Sequence, residues 1–276
     1  MAVYTLPIDF FPAAPIPVVV QYNYKSSKAI HTNQVQLTHH LISFLQKGQK
    51  TVLLPQKTVV VPPNHFLLLS EGHCLMSETL SPQQYYHSHL LFFKQQIVHN
   101  LLLKHQIEVP NTTVACNFQI LAYDGFVRNF IQSLQFIPKA DTAFLQHKVE
   151  EFLLYGYHQY GASFFSFLKT PPIPSLQQIA QVAQKAIYEK LTLEQMAFLC
   201  AMSLSTFKRR FASYYNTTPQ SWLREQRLQR AAQLLRQGHY RPSELSEKLG
   251  FQHHSSFTAA FKSRFGMPPS AYLNQS

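Results

Sequence analysis

The chain has 276 residues, 46% of them hydrophobic, with 24 Lys and Arg against 13 Asp and Glu and a formal net charge of +11. This composition is sufficient for a real core and two domains, and the positive charge predicts a polyanionic partner. The three cysteines form no CxxC pair, which argues against a disulfide framework or zinc site and favours a reducing cytoplasm.

The N-terminus does not have the pattern of a targeting segment. Its first basic residue is Lys25, and Pro7, Pro12, Pro15 and Pro17 interrupt its apolar run. We therefore predict neither a signal peptide nor a transmembrane helix, and we expect a soluble cytoplasmic protein with no membrane partner.

Short apolar runs follow from about Val35 to Phe93, among them "TVLL", "TVVV" and "FLLL". Gly48, Pro55 and Gly72 separate them. Short β-branched and aromatic runs at this spacing predict an antiparallel barrel or sandwich, which we place at about residues 20–95.

The period of the apolar residues changes in the next segment, about residues 115–160. Two sets fall at i, i+3, i+4 and i+7: Val127, Phe130, Ile131, Leu134, and Val149, Phe152, Leu153, Gly156. They predict two amphipathic helices, about 117–135 and 143–157. Such helices either pack on the barrel or pair with another subunit as a homodimer, and the spacing does not choose between the two.

A proline-rich linker, "KTPPIPSL" at 169–176, ends this part of the chain. Residues 171–276 hold 13 Lys and Arg against 5 Asp and Glu, whereas residues 1–170 hold 11 against 8. The C-terminal segment is therefore the candidate for binding nucleic acid.

The C-terminal segment begins with a helix-turn-helix pattern, 192–214. Thr192 and Gln195 form a capping box, and the small residues after Cys200 interrupt the helix before "LSTFKRRF" begins another. Thr218 and Pro219 then start a linker helix, 219–237, which we expect to end at Gly238.

The pattern then repeats at 242–265. Phe207 and Phe211 correspond to Phe257 and Phe261 at an offset of 50, but "KRR" between the first pair becomes "TAA" between the second. Two helix-turn-helix units joined by a helix can place two helices in successive major grooves, roughly 34 Å apart.

At this point a family is recognisable. "RLQRAAQLL" and "LGFQHHSSFTAAFKSRFGMPPSAY" resemble the DNA-binding domain of the AraC/XylS family of bacterial transcription regulators. The resemblance implies an α+β chain, with a cupin-like β-barrel and appended helices at 1–168 and an all-α double helix-turn-helix domain at 177–276. It also implies an activator that binds double-stranded DNA beside RNA polymerase and answers to a small-molecule or protein effector.

We predict two groups of DNA contacts on this scaffold. A solvated charged face is the alternative for the basic residues, and Ala259 stands where the family often has a basic or polar residue. Predicted base contacts are Ser205, Thr206, Lys208, Arg209, His254, Ser255 and Thr258. Predicted phosphate contacts are Thr192, Arg241, Ser243, Lys262 and Arg264.

His87 and His89 form an HxH pair of the kind found in metal-binding cupins. No Asp or Glu follows them before Glu108, so ordinary polar strand positions explain them better than a metal site. We predict no metal, cofactor or enzymatic activity. A cupin-type metalloenzyme fused to a basic module is one rival hypothesis, and a DNA binder without sequence preference is the other.

Overall fold

A computed structural model describes residues 3–12, 15–109, 117–137, 141–168, 176–237, 240–251 and 253–273. Nearly all of the predicted linker 169–176, and Gly238, lie outside these residues. The chain divides into two compact units, an N-terminal unit Met1–Ile173 and a C-terminal unit Pro174–Ser276. The α+β class is confirmed, with the strands in the first unit and only helices described in the second.

The N-terminal unit contains ten strands within its described residues. They are β1 (Val3–Leu6), β2 (Val19–Ser26), β3 (Ile30–Leu37), β4 (His40–Lys47), β5 (Gln49–Leu53), β6 (Thr58–Val61), β7 (His65–Leu69), β8 (Gly72–Thr79), β9 (Tyr86–Phe93) and β10 (Phe118–Ala122). A short 3-10 helix (Ile8–Phe10) follows β1, and a second one (Ala162–Leu168) ends the unit.

These strands form two facing five-stranded sheets and not one closed barrel, so the sandwich is the predicted alternative that fits the described strands. The outer sheet has the order β1-β3-β8-β5-β6, and the middle sheet has the order β10-β7-β4-β9-β2. In β4, Leu41 and Leu45 belong to the core between the sheets, whereas Ile42 and Phe44 belong to a second core on the other face. Because both faces of β4 are covered, its first six residues are all buried, the polar His40 and Ser43 among them.

Three helices cover the free face of the middle sheet: α1 (Gln95–Lys104), α2 (Gly125–Leu134) and α3 (Thr142–Tyr160). Both predicted apolar stripes are buried there, with the Phe152 ring 5.2 Å from Phe44 and 4.9 Å from Phe130. The stripes therefore pack on their own sheet, which leaves only the other faces of these helices for a second subunit.

The predicted helix at about 117–135 is wrong in its first third. Phe118–Ala122 is strand β10, which pairs antiparallel with β7, and α2 begins at Gly125. Asp124 sets that beginning, because its Oδ1 accepts a hydrogen bond from the backbone N–H of Val127 at 2.9 Å. The second predicted helix, 143–157, lies inside α3.

The C-terminal unit is built from seven helices in its described residues. They are α4 (Leu176–Tyr188), α5 (Leu193–Leu199), α6 (Leu204–Tyr215), α7 (Pro219–Arg236), α8 (Pro242–Lys248), α9 (His254–Phe265) and α10 (Pro269–Leu273). None of the helices described in either unit combines the length and apolar character needed to cross a bilayer.

Candidate nucleic-acid interface

The two helix-turn-helix units repeat in backbone as they do in sequence. Helices α6 and α9 both have 12 residues and start 50 residues apart, and both end at a left-handed residue, Asn216 and Gly266. The turns before them also contain a left-handed residue each, Ala201 at φ 52° and Gly250 at φ 74°. The second turn is one residue longer than the first. Corresponding residues of the two units are therefore 49 apart in the chain before the turn and 50 apart after it.

Four aromatic side chains hold each of these two helices, which we call the recognition helices. In the first unit Phe211 lies 5.6 Å from Phe207, 4.6 Å from Tyr215 and 5.8 Å from Trp222, measured between ring centroids. The corresponding distances in the second unit are 5.7, 4.5 and 5.3 Å, from Phe261 to Phe257, Phe265 and Tyr272. Both helices therefore rest on equivalent supports.

Helix α6 presents a basic, hydroxyl-bearing face. Phe207 and Phe211 are fully buried, and Arg209 falls on the opposite side of the helix, with Lys208 exposed beside it. Ser203 caps the helix, accepting a hydrogen bond from Thr206 N at 3.2 Å and lying 3.1 Å from Ser205 Oγ. The predicted residues Ser205, Thr206, Lys208 and Arg209 thus share the first two turns, and Ser205, Lys208 and Arg209 are exposed.

Helix α9 presents the equivalent face without its charge. His254 and Ser255 are exposed in the first turn, and Thr258 is half-buried with its Oγ1 3.5 Å from His254 Nε2. Ala259 is exposed where Arg209 stands in the first unit. This face of α9 can form hydrogen bonds through its hydroxyl and imidazole groups, but it exerts little Coulomb attraction on an anion.

Three predicted phosphate contacts lie at the beginnings of the short first helices. Thr192 caps α5 and shares a capping box with Gln195, whose Oε1 accepts from Thr192 N at 2.9 Å. Arg241 precedes α8, where Glu244 Oε2 accepts from its backbone N–H at 3.1 Å. Thr192, Arg241 and Ser243 are all exposed, so their side chains can reach a phosphate.

The other two predicted phosphate contacts differ from each other. Lys262 is exposed on α9. Arg264 donates from Nε to Glu225 Oε1 on α7 at 2.7 Å, and its guanidinium lies 5.4 Å from the Phe265 ring. A phosphate would have to compete with Glu225 for Arg264, so Lys262 is the stronger candidate anchor.

Sequence reasoning missed a half-buried arginine at the junction of the two helix-turn-helix units. Arg227 on α7 donates from Nη2 to the carbonyl oxygen of Ala186 in α4 at 2.9 Å, and burial lowers the pKa of its guanidinium. A Cβ added at Gly250 would lie 3.3 Å from Arg227 Nη1. Arg227 therefore connects the linker helix to both neighbours, and no local pattern indicates this because its partners lie 41 and 23 residues away.

The HxH pair is engaged in cross-strand hydrogen bonds. His87 Nε2 lies 2.6 Å from Asn23 Oδ1, and His89 Nε2 lies 2.9 Å from Gln21 Oε1, both on β2. No group of three or more His, Cys, Asp or Glu side chains suited to a metal ion occurs in the described part of the chain.

Two family models match the chain. Residues 40–167 match a model described as the ExsA N-terminal regulatory domain, and residues 196–275 match one described as a helix-turn-helix domain. The first covers strands of both sheets and the helices packed on them, and the second covers both recognition helices.

Individual relatives match a little under half of the chain. The virulence regulon transcriptional activator VirF of Yersinia enterocolitica is 30% identical over 126 residues, 45% of this chain and 46% of VirF. The HTH-type transcriptional regulator ExsA of Pseudomonas aeruginosa is 29% identical over 124 residues, 45% of each chain. The chain thus matches about half the length of these curated relatives.

A solved structure is similar over a greater length but at low identity. The apo form of a ToxT variant from Vibrio cholerae is 16% identical, covering 94% of this chain and 98% of that one at a TM-score of 0.40.

Proposed function

Because the chain belongs to the AraC/XylS family of transcription regulators, we propose that it binds double-stranded DNA at specific sequences and activates transcription. One observation carries the proposal: two recognition helices on equivalent aromatic supports present exposed polar faces at an offset of 50 residues. A helix of this kind lies in the major groove with its N-terminal residues against base edges.

The two helices divide the recognition between them in this proposal. Lys208 and Arg209 supply cations that bind guanine O6 and N7 or a phosphate, and Ser205 adds a hydroxyl in the same turn. His254, Ser255 and Thr258 contribute hydrogen bonds from the second unit, where backbone and DNA-shape contacts carry more of the binding.

The test is a selection of duplexes from a random pool with the full chain, followed by affinity measurement on the selected site. Arg209→Ala should weaken binding by about 1–3 kcal/mol and relax base preference at one position. Thr258→Ala should cost less. Lys28→Ala removes one exposed positive charge from the N-terminal unit and serves as the matched control.

Two outcomes would contradict the proposal. A larger loss from Thr258→Ala than from Arg209→Ala would make the second unit the main reader. Equal affinity for selected and unrelated duplexes at one salt concentration would indicate a non-specific binder, because specific recognition requires a ratio of roughly 10³ or more.

We also propose the surroundings in which this regulator works. Its bacterial relatives support a cytoplasmic protein that acts with RNA polymerase and has no enzymatic activity of its own. The N-terminal unit of this protein receives a small-molecule or protein effector.

A homodimer would use the faces of α2 and α3 that point away from the sheet. Phe144 on α3 and Phe136, just beyond α2, are 52% and 85% exposed and support such a contact.

A further inference from the structure

The linker helix α7 is shared by the two helix-turn-helix units. Near its beginning, the Trp222 ring packs 5.8 Å from Phe211 of the first unit. From Leu228 onwards, its apolar face joins the core around Phe257 of the second unit. Arg227 lies between these two stretches and is half-buried. Its position is therefore the boundary between the two units.

An open cleft of about 680 Å³ separates the two units on one side of α7. Its walls are Thr192 and Leu193 of the first unit, Phe251 and Ser256 of the second, and Leu223 and Arg227 of α7. Tight packing fixes the arrangement of a protein interior, but here the space between the units is open, so packing does not lock one unit against the other across it. Their relative orientation on this side depends on the contacts at the edge of the cleft.

Arg227 makes such a contact with the two arms of its guanidinium. Nη2 donates to the carbonyl oxygen of Ala186 in α4 at 2.9 Å. Helix α4 is fixed to the first unit, because the Gln178 amide donates to the carbonyl oxygen of Leu199 in α5 at 2.9 Å. Nη1 lies against Gly250 in the turn of the second unit, only 3.3 Å from the place a Cβ would take. Arg227 thus touches the first unit with one arm and the second with the other.

The end of α4 suits a guanidinium in particular. Helix α4 ends at Tyr188, so the Ala186 carbonyl oxygen is one of the last four, which have no partner inside the helix. A cation also meets the negative end of the helix dipole there. Because the guanidinium is planar and rigid, its two arms hold the directions to α4 and to the Gly250 turn at a fixed angle.

Stability alone does not explain an arginine at this place. Burial lowers the pKa of the Arg227 guanidinium, because the charge is partly removed from water. Its Nε is buried and donates to no described residue. An apolar side chain of similar length would avoid both costs. It would not supply a directional contact to both units.

We propose that Arg227 is a positioning residue, which sets the separation and angle of the two recognition helices and so the spacing of the two DNA segments that the chain recognises. It does this without contacting DNA. The part of the proposal that concerns DNA rests on the proposed function, whereas the part that concerns the two helices does not.

The separation of the recognition helices is measured on the full chain without DNA. With the three native cysteines replaced by alanine, Ser205→Cys and Ser255→Cys place spin labels at equivalent exposed positions of α6 and α9. Pulsed electron paramagnetic resonance should give one narrow distance distribution for this labelled parent. Adding Arg227→Met should shift or broaden the distribution by at least one base-pair step, roughly 3.4 Å.

The matched control is Arg224→Met. Arg224 is exposed three positions earlier on α7, lines the same cleft and carries the same charge, but it lies outside the contact of Arg227 with Ala186 and Gly250. The distance distribution should stay narrow in this control.

Unfolding followed by Trp222 fluorescence checks that each variant is folded. Where Arg227→Met does not fold, Arg227→Lys takes its place, because lysine keeps a cation near the end of α4 but lacks the second arm. The distribution should then broaden in the lysine variant.

The spacing of the duplex tests the consequence for recognition. One base pair is inserted into the selected site, or removed from it, between the segments that the two units protect. Each change moves one segment by roughly 3.4 Å and rotates it by roughly 35°. The unchanged chain should lose affinity about 10-fold or more, because one unit loses its base contacts.

The Arg227→Met variant should bind all three duplexes within about 3-fold of one another, because its second unit adapts to each spacing at a similar cost. The Arg224→Met control should retain the spacing preference of the unchanged chain.

The positioning role is refuted if folded Arg227→Met gives the distance distribution of the labelled parent, or if Arg224→Met broadens it equally. A narrow distribution in Arg227→Lys refutes it where Arg227→Met does not fold. A broadened distribution with an unchanged spacing preference refutes the link to DNA recognition. If the unchanged chain binds every duplex equally while the distance still responds to Arg227→Met, the proposed function fails and the positioning role stands.

Discussion

At the scale of single residues, the spacing of apolar side chains predicts exposure but not pairing. Two buried phenylalanines four apart are enough to place Arg209 and Lys208 on the outside of their helix. The ion pair of Arg264 with Glu225 joins residues 39 apart in the chain, and it exists only because α7 packs against α9. Lys50 and Glu78 are 28 apart and meet only through the register of β5 and β8.

Two buried histidines of the middle sheet make a prediction for pH. Burial lowers the pKa of His40 and of His89 to about 4. Below pH 6.5 the unfolded histidines take up protons that the folded ones refuse, so stability decreases as pH falls. From pH 7 to pH 5 each histidine should remove about 2 kcal/mol from the free energy of unfolding of the N-terminal unit.

Denaturant unfolding at several pH values checks this prediction with two signals. Trp222 is the only tryptophan and reports on the C-terminal unit, whereas circular dichroism also follows the sheets. The loss of stability at low pH should appear in the circular dichroism signal and should be smaller in the His40→Asn variant. The exposed His31→Asn serves as the control and should show the same loss as the unchanged chain. A loss of equal size in the Trp222 transition would place its origin elsewhere.

At the scale of elements, the sequence predicts those helices whose signals lie close together in the chain. Capping residues and phenylalanine pairs locate α5 to α9, because those signals lie within one helix or its flanks. The sequence predicts helix where strand β10 lies, because the conformation of β10 depends on pairing with β7, about 50 residues earlier. The sequence patterns do not predict helix α1 or strand β1, and β1 likewise depends on a distant strand, β3.

The turns of the two helix-turn-helix units allow a paired prediction. Gly250 has φ 74° and little room beside Arg227, so Gly250→Ala should lower the free energy of unfolding of the C-terminal unit by roughly 1–2 kcal/mol. Ala201 already bears a Cβ at φ 52°, so Ala201→Gly should leave stability unchanged or raise it by up to about 1 kcal/mol. Urea unfolding followed by Trp222 fluorescence measures both, and equal losses from the two changes would contradict this account.

At the scale of the whole molecule, charge separates the two halves of the chain. Residues 171–276 carry 13 of the 24 Lys and Arg but only 5 of the 13 Asp and Glu. The buried Lys50–Glu78 ion pair of the N-terminal unit, by contrast, has no net charge. We therefore expect the long-range attraction for a polyanion to originate in the C-terminal unit.

The salt dependence of DNA binding tests that separation. The logarithm of the binding constant should fall linearly with the logarithm of salt concentration, with a slope of about −0.9 for each phosphate neutralised. Lys262→Ala should reduce the steepness by about 1, and Arg264→Ala should reduce it less, because Glu225 already pairs with that guanidinium. Lys28→Ala, in the other unit, should leave the slope unchanged. A change in slope from Lys28→Ala as large as that from Lys262→Ala would mean that the N-terminal unit also contacts the phosphate backbone.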